Sequence, residues 1–166
     1  MLSGSRIMRL LEELSRIGRD SSGGVTRLAY TEEETRAFEY VMKIGEEYGL
    51  LLREDPVGNL YLSTDPSEES TVLLGSHLDT VPSGGKFDGA LGVICSLEIA
   101  RALSKVKLER GVTVAVFRAE ESARFGVSLI GSSIATGQFE ESLLEARDRH
   151  GVKLFERRVV DRPGLT

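Results

Sequence analysis

The sequence predicts a single α/β domain, and three observations carry that reading. Residues 71–75 form a short apolar run bounded by turn residues, 89–103 have helical apolar spacing, and 112–117 are a second apolar, β-branched run. Strand, helix, strand in that order is a βαβ unit, whose crossover makes its two strands parallel. Two amphipathic helical patterns precede it, and no repeat, linker or low-complexity tract divides the 166 residues. That length suits one domain.

The first helix follows from Ile7, Leu10, Leu11, Leu14 and Ile17, an i, i+3, i+4, i+7 stripe over 5–17. Gly18 and Ser21-Ser22-Gly23-Gly24 end it in a loop. Thr31 followed by Glu32, Glu33 and Glu34 reads as a capping box with acidic residues in the first turn, opening a helix that runs to about Tyr48 and closes at Gly49. Residues 50–53 and 60–63 are two short strands around the turn Asp55-Pro56-Val57-Gly58-Asn59, followed by a polar loop over 65–70. The crossover helix carries Leu91, Ile94, Cys95, Leu97, Ile99 and Leu103. A short helix is expected within 125–135 and a charged amphipathic stretch over 140–149, whereas 152–166 show no pattern.

Composition excludes several classes of function. Hydrophobic residues at 40% and charged residues at 28% describe a globular chain with a core. No run approaches the roughly 18 apolar residues of a membrane span, and the N-terminus leads straight into a charged helical pattern without a secretory apolar segment. A net charge of −5 offers no basic stripe, and the absence of Trp with only 6% aromatics offers no stacking platform, so neither nucleic acid nor membrane is an expected partner. The one cysteine, Cys95, cannot form an internal disulfide; it falls on the apolar helix face and reads as core, and a cytoplasmic setting is expected. Eighteen glycines exceed the roughly 7% usual in proteins, which points to tight turns and close backbone approach.

Three clusters of chemistry-bearing residues fall at strand ends, where open α/β sheets place their sites. The first is Gly75-Ser76-His77-Leu78-Asp79-Thr80-Val81-Pro82. His77 can offer a ring nitrogen to a metal, and Asp79, two residues on, can orient that imidazole with its carboxylate; read alone, His77 is an ordinary polar loop residue. The second is Ser83-Gly84-Gly85-Lys86-Phe87-Asp88-Gly89. Asp88 directly precedes the crossover helix, so it is either that helix's N-cap or a metal ligand. The third is Arg118-Ala119-Glu120-Glu121-Ser122, at the end of the second βαβ strand. Adjacent acids at such a point are either a solvated pair or a division of labour, one holding a metal and the other moving a proton. Together the clusters put His, Asp and Glu at one rim of a sheet, a donor set for two divalent ions. Serine chemistry is not supported, because no G-x-S-x-G elbow is present. His150 lies in a charged stretch and reads as a helix-end contact.

At these residues the sequence resembles the carbamoylase/allantoate amidohydrolase branch of the dinuclear M20 metallopeptidase superfamily. The segments that carry the resemblance are GSHLDTVPSGGKFDGALGV and AEESARFGVSLIGSS, with GGVTRLAYTEEE and REDPVGNLY upstream, and it covers 7–153. It implies a zinc-exopeptidase-like, three-layer α/β/α fold with a mostly parallel central sheet, truncated here. It also implies two divalent metal ions (Zn, Mn or Co): His77 binds one, Asp88 bridges both, Glu121 binds the second, Asp79 stands behind His77, and Glu120 is the general base. The implied reaction is hydrolysis of a ureido or amide C–N bond in a small N-carbamoyl or ureido substrate, with Glu120 taking the proton of the attacking water.

The chain also departs from the family pattern. Members carry a lid and dimerisation domain, a returning C-terminal part of the catalytic domain, and two further histidine ligands. One of those histidines sits in a His-Ile-Glu-Gln-Gly-like motif that this sequence lacks, and the resemblance fades from about Phe155. Residues 1–166 are therefore expected to be the N-terminal portion of a dinuclear catalytic domain, with about two protein ligands left per metal. Half a sheet leaves an edge uncovered, so a homo-oligomer or a complementary chain is expected to cover it. The alternative is a non-catalytic remnant or binding subunit that keeps the fold without the reaction.

Overall fold

In the computed structural model, which describes residues 1–65, 71–138 and 140–154, the interior is organised by alternation along β4 (Gly111–Phe117). Val112, Val114 and Val116 point to one face of the sheet and are buried against three helices, α1 (Gly4–Leu14), α2 (Glu32–Glu47) and α3 (Ala90–Leu103). Each helix contributes one apolar stripe: Leu10, Leu11 and Leu14; Ala37, Phe38 and Val41; Val93, Ile94 and Leu97. Each fully buried Leu or Ile among them is worth about 1.5–3 kcal/mol relative to exposure.

β1 (Leu51–Glu54) and β2 (Leu60–Ser63) form an antiparallel hairpin, and β3 (Thr71–His77) pairs in parallel with β4. β2 then joins β4 antiparallel, giving the order β1-β2-β4-β3. The expected βαβ pair is present, but the sheet is mixed rather than mostly parallel. The reason is local, because a turn as short as 55–59 can only return a strand antiparallel. The three-layer expectation is also modified. α2 lies over Leu62 and α3 over Ser76, at positions where a Cβ on Gly45 or Gly92 would meet those side chains. The register places Leu62 and Ser76 on the same face as Val114 and Val116. The described residues therefore build two layers, with every long helix on one side.

Other elements are displaced from their expected limits. β3 runs two residues further than expected, so His77 ends the strand and is buried. The helix within 125–135 is only α4 (Ile130–Ala135), and 140–149 hold a single 3₁₀ turn, Glu141–Glu145. His150 consequently sits in an exposed turn organised by Asp148, not at a helix end. Cys95 is half-buried on α3. The polar loop residues 66–70 and the patternless 155–166 lie outside the described residues.

Candidate metal centre

His77 closes β3 at the carboxyl edge of the sheet, directly paired with Phe117 at the end of β4. Its Nδ1 lies 3.0 Å from the backbone carbonyl of Asp79. Donation of Nδ1–H to that carbonyl leaves the lone pair on Nε2. Nε2 faces acids: Asp88 Oδ1 at 4.0 Å and Glu120 Oε2 at 3.6 Å. The ring is pressed from behind by Gly89, whose φ is +61°; a Cβ there would lie 2.6 Å from Cε1 and Nδ1 of His77.

The expected role of Asp79 differs in detail from the structure. Its carbonyl makes the closer contact with His77, while its carboxylate Oδ1 stands 3.5 Å from Nδ1. The fully buried carboxylate accepts the backbone N–H groups of Glu120, at 3.2 Å, and Glu121, at 2.9 Å. One side chain thereby couples the ends of β3 and β4. Asp88 is not the N-cap of α3: Gly89 occupies that position and no side chain caps the helix. The Asp88 carboxylate is left largely exposed, at 63%, and turned toward His77 and Glu121.

The electrostatics favour a cation. Burial disfavours a charged His77 ring, but the Asp79 carboxylate and carbonyl, aided by Glu120, outweigh it and push the ring up to about 9. Glu121 is also raised, first by burial and then by the neighbouring carboxylates of Glu120 and Asp88. An imidazole nitrogen and carboxylate oxygens gathered where positive charge is stabilised fit a divalent ion in donor type. In number they fall short: among the described residues, no three such donors already close on a common point.

Several supporting residues escape sequence reasoning. Arg27 is buried, and its guanidinium donates to the carbonyls of Leu78, Leu14 and Ile17, while Thr80 and Arg27 exchange bonds that fasten the segment after His77. Asn59, at the end of the hairpin turn, accepts from the Arg118 N–H and donates to the Gly131 carbonyl. Glu34 is not a simple capping-box residue: Thr31 accepts weakly from its N–H at 3.4 Å, whereas its carboxylate bonds Tyr30 N–H and Arg118. Between Arg118 and Glu120, Ala119 takes φ +51° while fully buried, a conformation that costs about 1–2 kcal/mol for an L residue. The sequence signal for Arg27, Glu34 and Asn59 is their position inside the segments GGVTRLAYTEEE and REDPVGNLY, whereas Thr80, Arg118 and Ala119 fall in the strand-end clusters without a sign of their bonding.

The chain belongs to peptidase family M28, whose model matches residues 59–146 and so spans the ends of β3 and β4 where the site's donors lie. It is 41% identical over 161 residues to an N-carbamoyl-L-amino acid amidohydrolase of Geobacillus stearothermophilus, covering 94% of this chain and 39% of that protein. It is 39% identical over 152 residues to an allantoate amidohydrolase of Bacillus subtilis, covering 87% of this chain and 36% of that one. A crystal structure of a hydantoinase/carbamoylase family amidase from Burkholderia ambifaria superposes with a TM-score of 0.86 at 35% identity, over 92% of this chain and 39% of the other. The resemblance to the carbamoylase/allantoate amidohydrolase branch is thus borne out, as is the α/β fold class. The chain spans about two fifths of the length of these relatives.

Proposed function

We propose that this chain is part of a metal-dependent amidohydrolase that cleaves the C–N bond of an N-carbamoyl amino acid or of a ureido compound such as allantoate. The observation that carries the reading is the approach of Glu120, at the end of β4, and of Asp88, before α3, to His77 at the end of β3, with Glu121 beside Asp88. It is supported by relatives whose names are those of amidohydrolases on such substrates. His77 and Glu121 would each hold one of two divalent ions (Zn, Mn or Co), and Asp88 both. When bound, these ions polarise the scissile carbonyl and balance the negative charge that develops on it.

The chain's own residues perform the remaining tasks. The Asp79 carbonyl accepts the Nδ1–H of His77 and so turns Nε2 toward Asp88 and Glu120. The Asp79 carboxylate fixes the backbone of the acidic pair. Glu120, with its side chain one-third exposed, is the general base: its Oε2 takes the proton from the attacking water and returns it to the leaving nitrogen. The further histidine ligands and the lid belong to parts of the catalytic unit beyond these 166 residues, which thus act as its N-terminal portion. A second copy or a complementary chain covers the sheet edge, and the lone cysteine accords with a cytoplasmic setting. A second reading, a binding module without catalysis, is favoured by the absence of a closed three-donor cluster among the described residues.

The two readings separate when the chain is assayed on N-carbamoyl amino acids and allantoate with the complementary part of the catalytic unit supplied. The hydrolase reading expects turnover, and expects Glu120→Gln to keep its metals while losing about 10²–10⁴-fold in kcat. Full turnover in the variant removes Glu120 as the base, and no turnover in the reconstituted wild type favours the binding module.

A further inference from the structure

The turn that carries Glu120 and Glu121 is held from behind by a buried ion pair that takes no part in the site itself. Glu34, in the first turn of α2, is fully buried, and its Oε2 accepts from Arg118 Nη1 and from the Tyr30 N–H, each at 2.6 Å. Its Oε1 has no hydrogen-bond partner among the described residues. Arg118 has both polar groups of its backbone committed, and its guanidinium bonds through Nε and Nη1. Its N–H donates to Asn59, its Nε to the Gly58 carbonyl, and its own carbonyl accepts from Gly131. The guanidinium lies 3.6 Å from the centre of the Phe38 ring. Residue 118 is therefore tied at once to α2, to the hairpin turn and to α4, two positions before Glu120.

A brace wanted only for stability does not need this chemistry. A buried carboxylate–guanidinium pair is commonly no more stabilising than apolar side chains of the same volume, and an orphaned carboxylate oxygen makes it worse. A charge-assisted bond does supply direction, which an apolar contact does not. The next residue shows why direction matters here. Ala119 is held in the left-handed region, and Leu129, Ile130 and Gly131 donate their N–H groups to the carbonyls of Glu120, Ala119 and Arg118 in turn.

We propose that Glu34 is a positioning residue for the Glu120–Glu121 turn, acting through Arg118. The proposal rests on the reading that this acidic pair belongs to the reactive centre. Glu34 touches none of the site's donor atoms; it sets the angle at which β4 delivers them.

The test uses the 166-residue chain with Glu34→Gln and with the apolar double variant Glu34→Leu/Arg118→Met. Amide hydrogen exchange at Glu120 and Glu121 is followed by NMR against Val114, within β4, as an internal control. Co²⁺ binding, read from its visible absorption, is measured in parallel. In Glu34→Gln, exchange at Glu120 and Glu121 should rise at least tenfold relative to Val114, with Co²⁺ affinity at least tenfold weaker. The double variant should regain the wild-type melting temperature without regaining either site property. Uniform acceleration at all three amides, unchanged exchange at the acidic pair, or recovery of the site along with stability in the double variant overturns the proposal. If wild type binds no Co²⁺, the metal reading fails, and the exchange data alone still decide the role of Glu34.

Discussion

Gly89 stands where a side chain does not fit, because its φ of +61° disfavours one and the His77 ring would lie 2.6 Å from an added Cβ. Gly89→Ala should therefore cost about 2–4 kcal/mol in urea denaturation, and it should weaken Zn²⁺ binding at least tenfold by displacing the ring. Gly23→Ala is the matched control: φ is +89° but nothing lies within 4 Å, so only the backbone penalty of about 1–2 kcal/mol is expected. Equal Zn²⁺ affinity in Gly89→Ala and wild type would show that the glycine does not set the ring. At this scale the nearness of His77 to Asp88 and Glu120 was legible, because His77 and the Glu120–Glu121 pair follow strand-like runs and Asp88 precedes a helical one, within dense motifs. Arg27, Glu34, Asn59 and Arg118 were not. A buried charge has the same letter as a surface charge, and only the fold reveals that Glu34 and Arg118 meet across 84 residues. The double use of Asp79, its carbonyl for His77 and its carboxylate for the acidic pair, likewise depends on a strand that stops at His77.

Among the elements, α1 and α3 are joined through Glu98, a fully buried carboxylate that accepts from Arg101, Arg6 and the Ser3 N–H. Arg101 chiefly, with Arg6 and the Ser3 N–H helping against burial, holds Glu98 down at about 2, below its ordinary 4.5. Because the folded value is the lower one, the stabilisation is complete above about pH 4.5 and disappears as the pH falls toward 2. Glu98→Gln should therefore lose about 2 kcal/mol near pH 6, with the gap from wild type closing over that window in pH-dependent denaturation. A gap that stays constant down to pH 2 would mean that the carboxylate charge is not what ties the helices. The existence and order of the elements followed from periodicity and caps, and the hairpin from its turn. What periodicity cannot say is which side of the sheet each amphipathic stripe will cover, and all three long helices chose the same one. The short run at 125–135 lost its first turn because Leu129 to Gly131 are spent on bracing 118–120 rather than on extending a helix.

For the molecule as a whole, the decisive fact is that 94% of the chain matches only 39% of a relative. Among the described residues β3 is an edge strand, paired on one side only, and it exposes Val72 at 48% and Leu73 at 54%. No charge along Thr71–His77 other than His77 blunts that edge, and an uncharged apolar edge tends to recruit another strand. Sedimentation velocity at micromolar concentration should show a dimer or larger species, and a charge placed at the edge, Leu73→Lys, should shift it toward monomer. A wild-type chain that sediments as a monomer contradicts the expected assembly.

The central claim is that His77, Asp88 and Glu121 hold divalent metal within this chain. Calorimetric titration of Zn²⁺ into the metal-free 166-residue protein, beside His77→Ala and Asp88→Ala, tests it most directly. The account predicts saturable binding by wild type, weakened about 10–100-fold or more by each substitution. Absence of saturable binding, or binding unaffected by His77→Ala, would contradict it.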